Sequence, residues 1–277
     1  MGYQNLTRCL ADLESRGELI RVPQEVDPNL EIAAIQRRVY QAQGPALLFT
    51  RVKGCAFPMA GNIFGTPGRI RFIFRDSLRT LERLVKLKVD PVELFKRPWE
   101  FASLPKALRN SIPKKVATGP VLAKESSIVR LPQLKSWPRD GGAYITLPQV
   151  YSESIERPGF AHSNLGMYRV QLSGGRYKPN EEVGLHYQIH RGIGYHHAEA
   201  INAKSPLKVN VFVGGPPAMT LAAIMPLPEG VPELFFAGLL GGHRIRMVCE
   251  GVGLPILAEA DFCITGYVDP ERQLPEG

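Results

Sequence analysis

Apolar positions along the first hundred residues follow two patterns, one typical of helices and one typical of strands. A helical apolar stripe over 6–13 predicts a helix, and residues 18–22 after it read as a strand. A second helix is predicted over 28–43, and the apolar run at 46–52 predicts another strand. Helices and strands in alternation are typical of an α/β module.

Beyond this module the chain becomes polar at 108–119, where LRNSIPKKVATG shows no apolar period. A stretch of that kind is the best linker candidate, so we predict one domain at 1–112 and a second at 113–277. Short strands and turns follow, with Ser173, Gly174 and Gly175 at a hairpin tip. The pattern predicts a mostly antiparallel barrel decorated by helices, and an α+β fold class.

One uncharged segment, residues 209–228, is long enough to cross a bilayer. Its glycines and prolines would break a membrane helix at both ends, so the segment is interpreted as a buried strand, a turn and a short helix. The N-terminus lacks the apolar core of a signal peptide, and the four cysteines are far apart in sequence. These features predict a cytoplasmic protein with reduced thiols.

Charge leaves several partners open, because 34 basic residues against 26 acidic ones give a formal net charge of +8. Part of the excess lies at 69–97, where a leucine-rich stripe predicts an amphipathic helix with a solvated basic face. An anion-binding surface is the alternative. A nucleic-acid binder is the weaker interpretation, since few aromatic side chains interrupt the basic residues.

Several polar residues are candidates for chemistry, although each has an ordinary structural explanation. In LHYQIH, alternation places His186, Gln188 and His190 on one face of a predicted strand, where they form either a ligand site or an ordinary polar face. The adjacent His196 and His197 diverge on a helix, which predicts solvated side chains.

Four other residues have equally plain explanations. Asn164 is explained as a turn or cap residue, and Arg169 as the partner of a surface ion pair. Glu233 is explained as a carboxylate that stabilises a helix start, and Glu276 as a surface residue at the end of the chain.

Five segments in order resemble successive motifs of the UbiD family of decarboxylases. They are DGGAYITLPQV at 140–150, NLGMYR at 164–169, QIHRG at 188–192, GGPPAMTLAAIMPLPEGVPE at 214–233 and LPEG at 274–277. The N-terminal α/β segment is compatible with this family and adds little specificity. The resemblance implies prenylated FMN bound in a flavin-reductase-like split barrel, a divalent cation that is manganese or magnesium, and a nearby potassium ion.

The motif positions imply specific roles for residues of this chain. Asn164, His190 and Glu233 resemble the metal ligands, and one amide, one imidazole and one carboxylate with a phosphate oxygen suit manganese. The carbonyls around Ala222, Ala223 and Met225 match the potassium site. The implied cofactor contacts are Met167, Tyr168, Arg169, Gln188, Arg191, Gly192 and Met225.

The resemblance also implies a reaction, the reversible non-oxidative decarboxylation of aromatic or α,β-unsaturated acids. Arg169 matches the arginine that holds the substrate carboxylate, and Glu276 matches an acid that delivers a proton. The expected partners are a small carboxylic acid, a flavin prenyltransferase that supplies the cofactor, and further copies of the full-length chain. Nucleic acid and a membrane span are not expected.

The end of the chain departs from the family pattern. Family members continue beyond LPEG with a second acidic residue, more of the barrel, a phosphate-binding lysine and a C-terminal domain, whereas this sequence ends at Gly277. We therefore expect a fragment or truncated gene product with an incomplete barrel, and its activity alone stays open. The alternative function is a non-catalytic, flavin-phosphate-binding fragment of such an enzyme.

Overall fold

The computed structural model describes residues 2–89, 98–228, 230–249, 253–269 and 273–274, and its fold is mixed α+β, as the sequence predicts. Residues 2–89 form an α/β module. Its elements are α1 (Leu6–Ser15), β1 (Leu19–Val26), α2 (Glu31–Gln41), β2 (Ala46–Val52), β3 (Met59–Gly61), α3 (Pro67–Ile73) and α4 (Leu78–Val89).

The sheet of this module is mixed, because β1 and β2 pair in parallel and β3 pairs antiparallel to β2. A parallel pair needs a crossover connection, and α2 supplies it. The helix begins at Glu31, three residues later than predicted. The reason lies in the turn before it: the Asp27 carboxylate accepts the N–H of Asn29 at 2.8 Å, and Leu30 has a φ of 72°.

The second part of the chain contains three sheets. Its strands are β4 (Lys114–Val116), β5 (Tyr144–Ile145), β6 (Gln149–Glu153), β7 (Ser163–Gly166), β8 (Arg169–Gln171), β9 (Gly184–His186), β10 (Leu207–Val213), β11 (Arg246–Val248), β12 (Ile256–Leu257) and β13 (Phe262–Val268). The largest sheet is antiparallel with the order β13-β10-β6-β7, so β13 lies at its edge. The two smaller sheets have the orders β5-β8-β9 and β12-β11-β4, and no closed barrel forms among the described residues.

The predicted linker at 108–119 is wrong at the level of secondary structure. Helix α5 (Leu104–Ser111) covers its beginning, and β4 pairs in parallel with β11. Long-range hydrogen bonds hold this polar segment in place, since Lys114 N donates to Ile245 O at 2.7 Å and the Arg244 guanidinium donates to Ile112 O at 2.8 Å. Local composition does not show such distant partners.

Helices α6 (Gly192–Asn202), α7 (Pro217–Ala222) and α8 (Glu233–Gly241) complete the second part. The uncharged segment at 209–228 is a buried strand, a turn and a short helix, as predicted. Gly214 and Gly215 make the turn with φ values of 73° and 79°, a region that favours glycine. Within the described residues, no helix has the length and apolar character needed to cross a membrane.

One apolar core joins the α/β module to the second part. Cys9 and Leu13 of α1 and Ile73 of α3 pack with Ala218 of α7 and Leu240 of α8. All four cysteines of the chain are free thiols. The two parts therefore share buried surface.

Arg69 corrects the prediction of a solvated basic face at 69–97. Its side chain is buried and donates to the carbonyls of Ile63, Asn62 and Gly44 and to the Glu18 carboxylate, at 3.0–3.1 Å. Burial of a guanidinium is tolerated here because its donors find oxygen acceptors. Residues 90–97 of the basic region lie outside the described residues.

Candidate functional site

Asn164 and Glu233 come together although they are far apart in sequence. Asn164 lies in β7 with a buried side chain, and Glu233 is the first residue of α8. The backbone N–H of Leu165 donates to Glu233 Oε2 at 3.1 Å, which connects the start of α8 to the strand that carries Asn164. Asn164 is therefore a strand residue and not the turn or cap residue that its local sequence suggested.

Two polar groups at this point are poorly satisfied by the protein. The Asn164 Nδ2 atom is buried and has no hydrogen-bond partner among the described residues. Burial raises the pKa of Glu233 above its usual value, and the N–H groups of Leu165 and of Glu233 itself offset this in part. An amide and a desolvated carboxylate are oxygen donors that suit a hard divalent cation.

Gly192 closes the same site from another side. It begins α6, and a Cβ atom placed on it would lie 2.1 Å from Asn164 Oδ1. A side chain at this position would therefore displace the Asn164 amide. The sequence motif contains glycine here because the helix start approaches the asparagine too closely for any other residue.

The predicted strand through His190 is wrong beyond His186. Strand β9 ends at His186, Tyr187 follows it, and residues 188–191 form a turn in which Arg191 N donates to Gln188 O at 3.0 Å. Gln188, His190 and Arg191 are exposed on this turn, directly before Gly192. The polar alternation therefore belongs to a turn that leads into α6, not to one face of a strand.

The prediction of solvated side chains at His196 and His197 is also wrong. His196 is buried and its Nδ1 pairs with Ser152 Oγ at 2.9 Å. The Nδ1 atom of His197 pairs with the Tyr187 hydroxyl, and its Nε2 atom is buried with no partner in the residues that the structure describes. The two rings diverge as expected, but each meets protein instead of solvent because α6 is covered by other elements at both positions.

Tyr168 is close to Asn164, since its hydroxyl donates to Asn164 Oδ1 at 3.3 Å. Burial raises the pKa of Tyr168, so the phenol stays protonated at neutral pH. The neighbouring Met167 N–H donates to the carbonyl of Ala223 at 3.0 Å. This bond joins the end of β7 to the segment after α7.

The carbonyls considered for potassium already accept backbone hydrogen bonds. Ala222 O accepts from Met225 N at 3.2 Å, and Met225 O accepts from Leu227 N at 2.9 Å. A carbonyl oxygen has two lone pairs, so each of these atoms keeps acceptor capacity.

A cleft of about 40 Å³ lies beside Arg169, the first residue of β8. The guanidinium stacks over the Tyr144 ring, 4.5 Å from its centroid, and lies 3.6 Å from a carboxylate oxygen of Asp140. Leu274 also lines this cleft. Glu276, the other predicted catalytic residue, lies outside the described residues.

Sequence reasoning missed Tyr187, Ser152 and Asp140 at this site. Asp140 was visible only as part of a matched motif, and its carboxylate accepts the N–H groups of Ser136 and Trp137 at 3.2 and 2.9 Å. Ser152 and Tyr187 were not singled out because their partners lie 44 and 10 residues away.

Comparisons with known proteins agree with the motifs. The model of the 3-octaprenyl-4-hydroxybenzoate carboxy-lyase Rift-related domain, called UbiD, matches residues 113–277. The model of the N-terminal domain of the same carboxy-lyase matches residues 10–88.

Relatives in Chlamydia are similar over nearly the whole chain. An uncharacterized protein of Chlamydia trachomatis is 41% identical over 278 residues, which cover 98% of this chain and 46% of the relative. A Chlamydia pneumoniae protein, named as one of the subunits of 4-hydroxybenzoate decarboxylase, is 40% identical with the same coverage of both. The chain thus spans about half the length of these curated relatives.

Solved structures show the same fold. The UbiD-class enzyme HmfF from Pelotomaculum thermopropionicum, in complex with FMN, superposes with a TM-score of 0.77 at 25% identity, over 99% of this chain and 57% of that one. The vanillic acid decarboxylase of Sedimentibacter hydroxybenzoicus gives a TM-score of 0.77 at 23% identity, over 98% of this chain and 56% of that one. At 23% identity, the similarity to the vanillic acid decarboxylase shows a shared fold and nothing further.

Proposed function

Since the chain belongs to the UbiD carboxy-lyase family, we propose that it acts in the reversible, non-oxidative decarboxylation of aromatic or α,β-unsaturated carboxylic acids. The observation that carries this proposal is the meeting of Asn164 and Glu233 beside Gly192, where three matched motifs converge. HmfF, a similar enzyme, is known with FMN and with prenylated FMN. The C. pneumoniae relative is named for 4-hydroxybenzoate.

The metal would be held by Asn164, His190 and Glu233. The carbonyl oxygen of the buried Asn164 amide and the desolvated Glu233 carboxylate support this assignment, because both are oxygen ligands of the kind that a hard cation binds. His190 is exposed on the turn before Gly192, so its imidazole is accessible to an ion placed there. We propose manganese or magnesium, with potassium near the carbonyls of Ala222, Ala223 and Met225.

The cofactor would be prenylated FMN, bound next to the metal by the segments that carry Asn164 and Gly192. When bound, the prenylated flavin supplies the electron sink that decarboxylation needs. Its proposed contacts are Met167, Tyr168, Arg169, Gln188, Arg191, Gly192 and Met225. In this assignment the three sheets of the second part belong to a flavin-reductase-like split barrel, divided from the N-terminal domain near residues 112–113.

Arg169 would bind the substrate carboxylate in the cleft that Leu274 also lines. Tyr144 holds the guanidinium from one side, and Asp140 orients it from another. Glu276 follows Leu274 by two residues in sequence, and we propose it as the acid that hands a proton to the carbon from which carbon dioxide leaves. Arginine binds a carboxylate through paired N–H donors, which fixes the orientation of the acid.

The test is reconstitution of this chain with prenylated FMN and manganese, followed by a carbon dioxide assay on cinnamic, hydroxybenzoic and heteroaromatic acids. Glu233→Ala should lower cofactor retention after gel filtration, whereas Glu181→Ala, an exposed carboxylate, should not. Equal flavin occupancy in the parent, Glu233→Ala and Glu181→Ala would contradict the metal assignment. It would favour a role for Glu233 in stabilising the start of the helix.

Flavin binding without turnover is the second candidate function. Flavin retention with no carbon dioxide release from any acid would select it. We also propose that a flavin prenyltransferase supplies the cofactor, that the full-length protein is a homo-oligomer, and that it works in the cytoplasm.

A further inference from the structure

Helix α6 is fixed firmly to the large sheet on one side. His196 Nδ1 pairs with Ser152 Oγ at 2.9 Å. The Glu199 carboxylate accepts from Ser154 Oγ at 2.8 Å and from the N–H of Ile155 at 3.0 Å. Three hydrogen bonds thus attach this helix to the end of β6, and α6 becomes a rigid base for the residues around it.

On a different side of α6, His197 holds Tyr187. The Tyr187 hydroxyl pairs with His197 Nδ1, and the two rings meet edge to face with centroids 5.9 Å apart. Tyr187 also meets the Tyr168 ring edge to face at 6.1 Å. Since Tyr168 donates to Asn164 Oδ1, the contacts run from His197 to the predicted metal ligand.

Tyr187 is the residue directly before the turn at 188–191. That turn carries Gln188, His190 and Arg191, and their side chains are exposed. Exposed side chains receive little orientation from packing, so the orientation of the turn depends on the residues at its two ends. Gly192 fixes one end at the start of α6, and Tyr187 fixes the other.

The protonation states of this pair keep the hydrogen bond neutral. Burial lowers the pKa of His197 below its usual 6.5, and burial also raises the pKa of Tyr187 to about 12. Both groups are therefore uncharged at neutral pH and share one proton between oxygen and nitrogen.

If the residue at position 197 only filled space, histidine would be a destabilising residue there. Its Nε2 atom is buried without a partner in the described part of the chain, and an unsatisfied buried polar atom lowers stability. Phenylalanine would fill the same space with no such atom. A purely structural role therefore predicts that phenylalanine is tolerated here, while a role in holding Tyr187 predicts a specific loss.

We propose that His197 is a positioning residue that, through Tyr187, orients the turn at 188–191 for binding of the flavin phosphate and the metal. This inference rests on the proposed function, because that function gives the turn its ligands. It adds two residues, His197 and Tyr187, to those named in the proposed site. Residues that orient the ligands of a metal commonly contribute about tenfold or more to affinity.

The experiment compares His197→Phe, His197→Asn and Tyr187→Phe with the parent chain. Asparagine keeps an acceptor near the place of Nδ1, so it is the conservative variant. Tyr40→Phe is the matched control, since Tyr40 is an exposed tyrosine in the N-terminal module. The readouts are FMN affinity by fluorescence quenching with manganese present, the thermal midpoint, and hydrogen exchange of the amides at 188–191 in the metal-free chain.

His197→Phe and Tyr187→Phe should each weaken FMN binding by about tenfold, and the double variant should be no weaker than either single one. His197→Asn should recover most of the affinity, and Tyr40→Phe should match the parent. Amide exchange at 188–191 should accelerate by about fivefold in the two phenylalanine variants, while the thermal midpoint of His197→Phe stays level or rises.

Parent-like FMN affinity and parent-like exchange in His197→Phe would overturn the inference. A fall in thermal midpoint that matches the loss of affinity would also overturn it, since it would show a general packing role. If the parent chain binds no FMN, the proposed function fails for this chain, and the exchange rates at 188–191 still decide whether His197 orients the turn.

Discussion

Asn164 has a buried amide nitrogen that finds no partner within the described ranges, and such a nitrogen costs about 1–3 kcal/mol when nothing satisfies it. The neighbouring Glu233 carboxylate is also kept from water. Residues that lower stability in the metal-free chain in this way are typical of ligand sites, where bound ligand offsets the loss. The site therefore depends on close placement of a few atoms, and small changes next to it should have large effects.

Gly192→Ala tests that placement. The added Cβ would lie 2.1 Å from Asn164 Oδ1, so the asparagine or the start of α6 must move. We expect a loss of about 1–3 kcal/mol in unfolding free energy and loss of manganese-dependent FMN binding. Urea denaturation and fluorescence quenching measure the two effects.

Gly68→Ala is the matched control, because Gly68 lies in α3 with open space where its Cβ would be. Alanine there should be neutral or stabilise the chain by up to about 1 kcal/mol. Equal behaviour of the two variants would show that the approach of Gly192 to Asn164 is unimportant.

His196 gives a prediction about pH. Burial lowers its pKa below 6.5, while Glu199 and Glu153 oppose this in part. Between the lowered pKa and 6.5 the unfolded chain binds more protons than the folded chain, so this residue makes stability fall as pH falls through that window. His196→Asn removes the titration and keeps an acceptor for Ser152.

The measurement is the unfolding free energy of parent and His196→Asn at neutral pH and at about pH 5. The parent should lose stability relative to the variant as pH falls. A constant difference between the two proteins would mean that the ring is protonated equally in the folded and unfolded states.

Among elements, those with a complete periodic pattern were predicted well, and the turn at 188–191 was not. The strand at 46–52 agrees at both ends, and the helix that the stripe at 6–13 predicts begins at Leu6 and ends at Ser15, before Gly17. In LHYQIH the alternation continues past the end of β9, because polar residues at every second position occur in turns as well as in strands. The contact of Tyr187 with His197 lies across tertiary structure, which no local pattern contains.

Helix α3 depends on one buried cation. Arg69→Met should cost about 3 kcal/mol, because it removes the guanidinium donors to the carbonyls of Ile63, Asn62 and Gly44 and the ion pair with Glu18. Arg71→Met, on the exposed side of the same helix, should change stability by less than about 0.5 kcal/mol. Thermal or urea unfolding of both variants measures the difference, and a small loss for Arg69→Met would show that water replaces its hydrogen bonds.

At the scale of the whole molecule, the shared core of α1, α3, α7 and α8 should make the chain unfold as one unit. Leu13 is fully buried in that core. Leu13→Ala should cost about 2–5 kcal/mol and accelerate hydrogen exchange in α8 as well as in α1. Leu108→Ala, an exposed leucine of α5, should have little effect.

Two separate unfolding transitions, or unchanged exchange in α8, would contradict this cooperative unfolding. The shared core also explains why the sequence alone indicated two modules and not their packing. Periodicity identifies which face of each helix is apolar, but it does not identify the element that covers the face. Ala218 and Leu240 carry no local sign that their partner is α1.

Strand β13 has a consequence for handling the protein in concentrated solution. Within the described residues it forms one edge of the large sheet, its sequence FCITGYV is uncharged, and Thr265, Gly266 and Tyr267 are exposed. An open ladder of that length, with no charge to repel a second strand, is a template on which other chains add, the first step toward fibrillar aggregates. A lysine at Tyr267 would act as a gatekeeper, and light scattering against concentration should show a later onset of aggregation for Tyr267→Lys than for the parent.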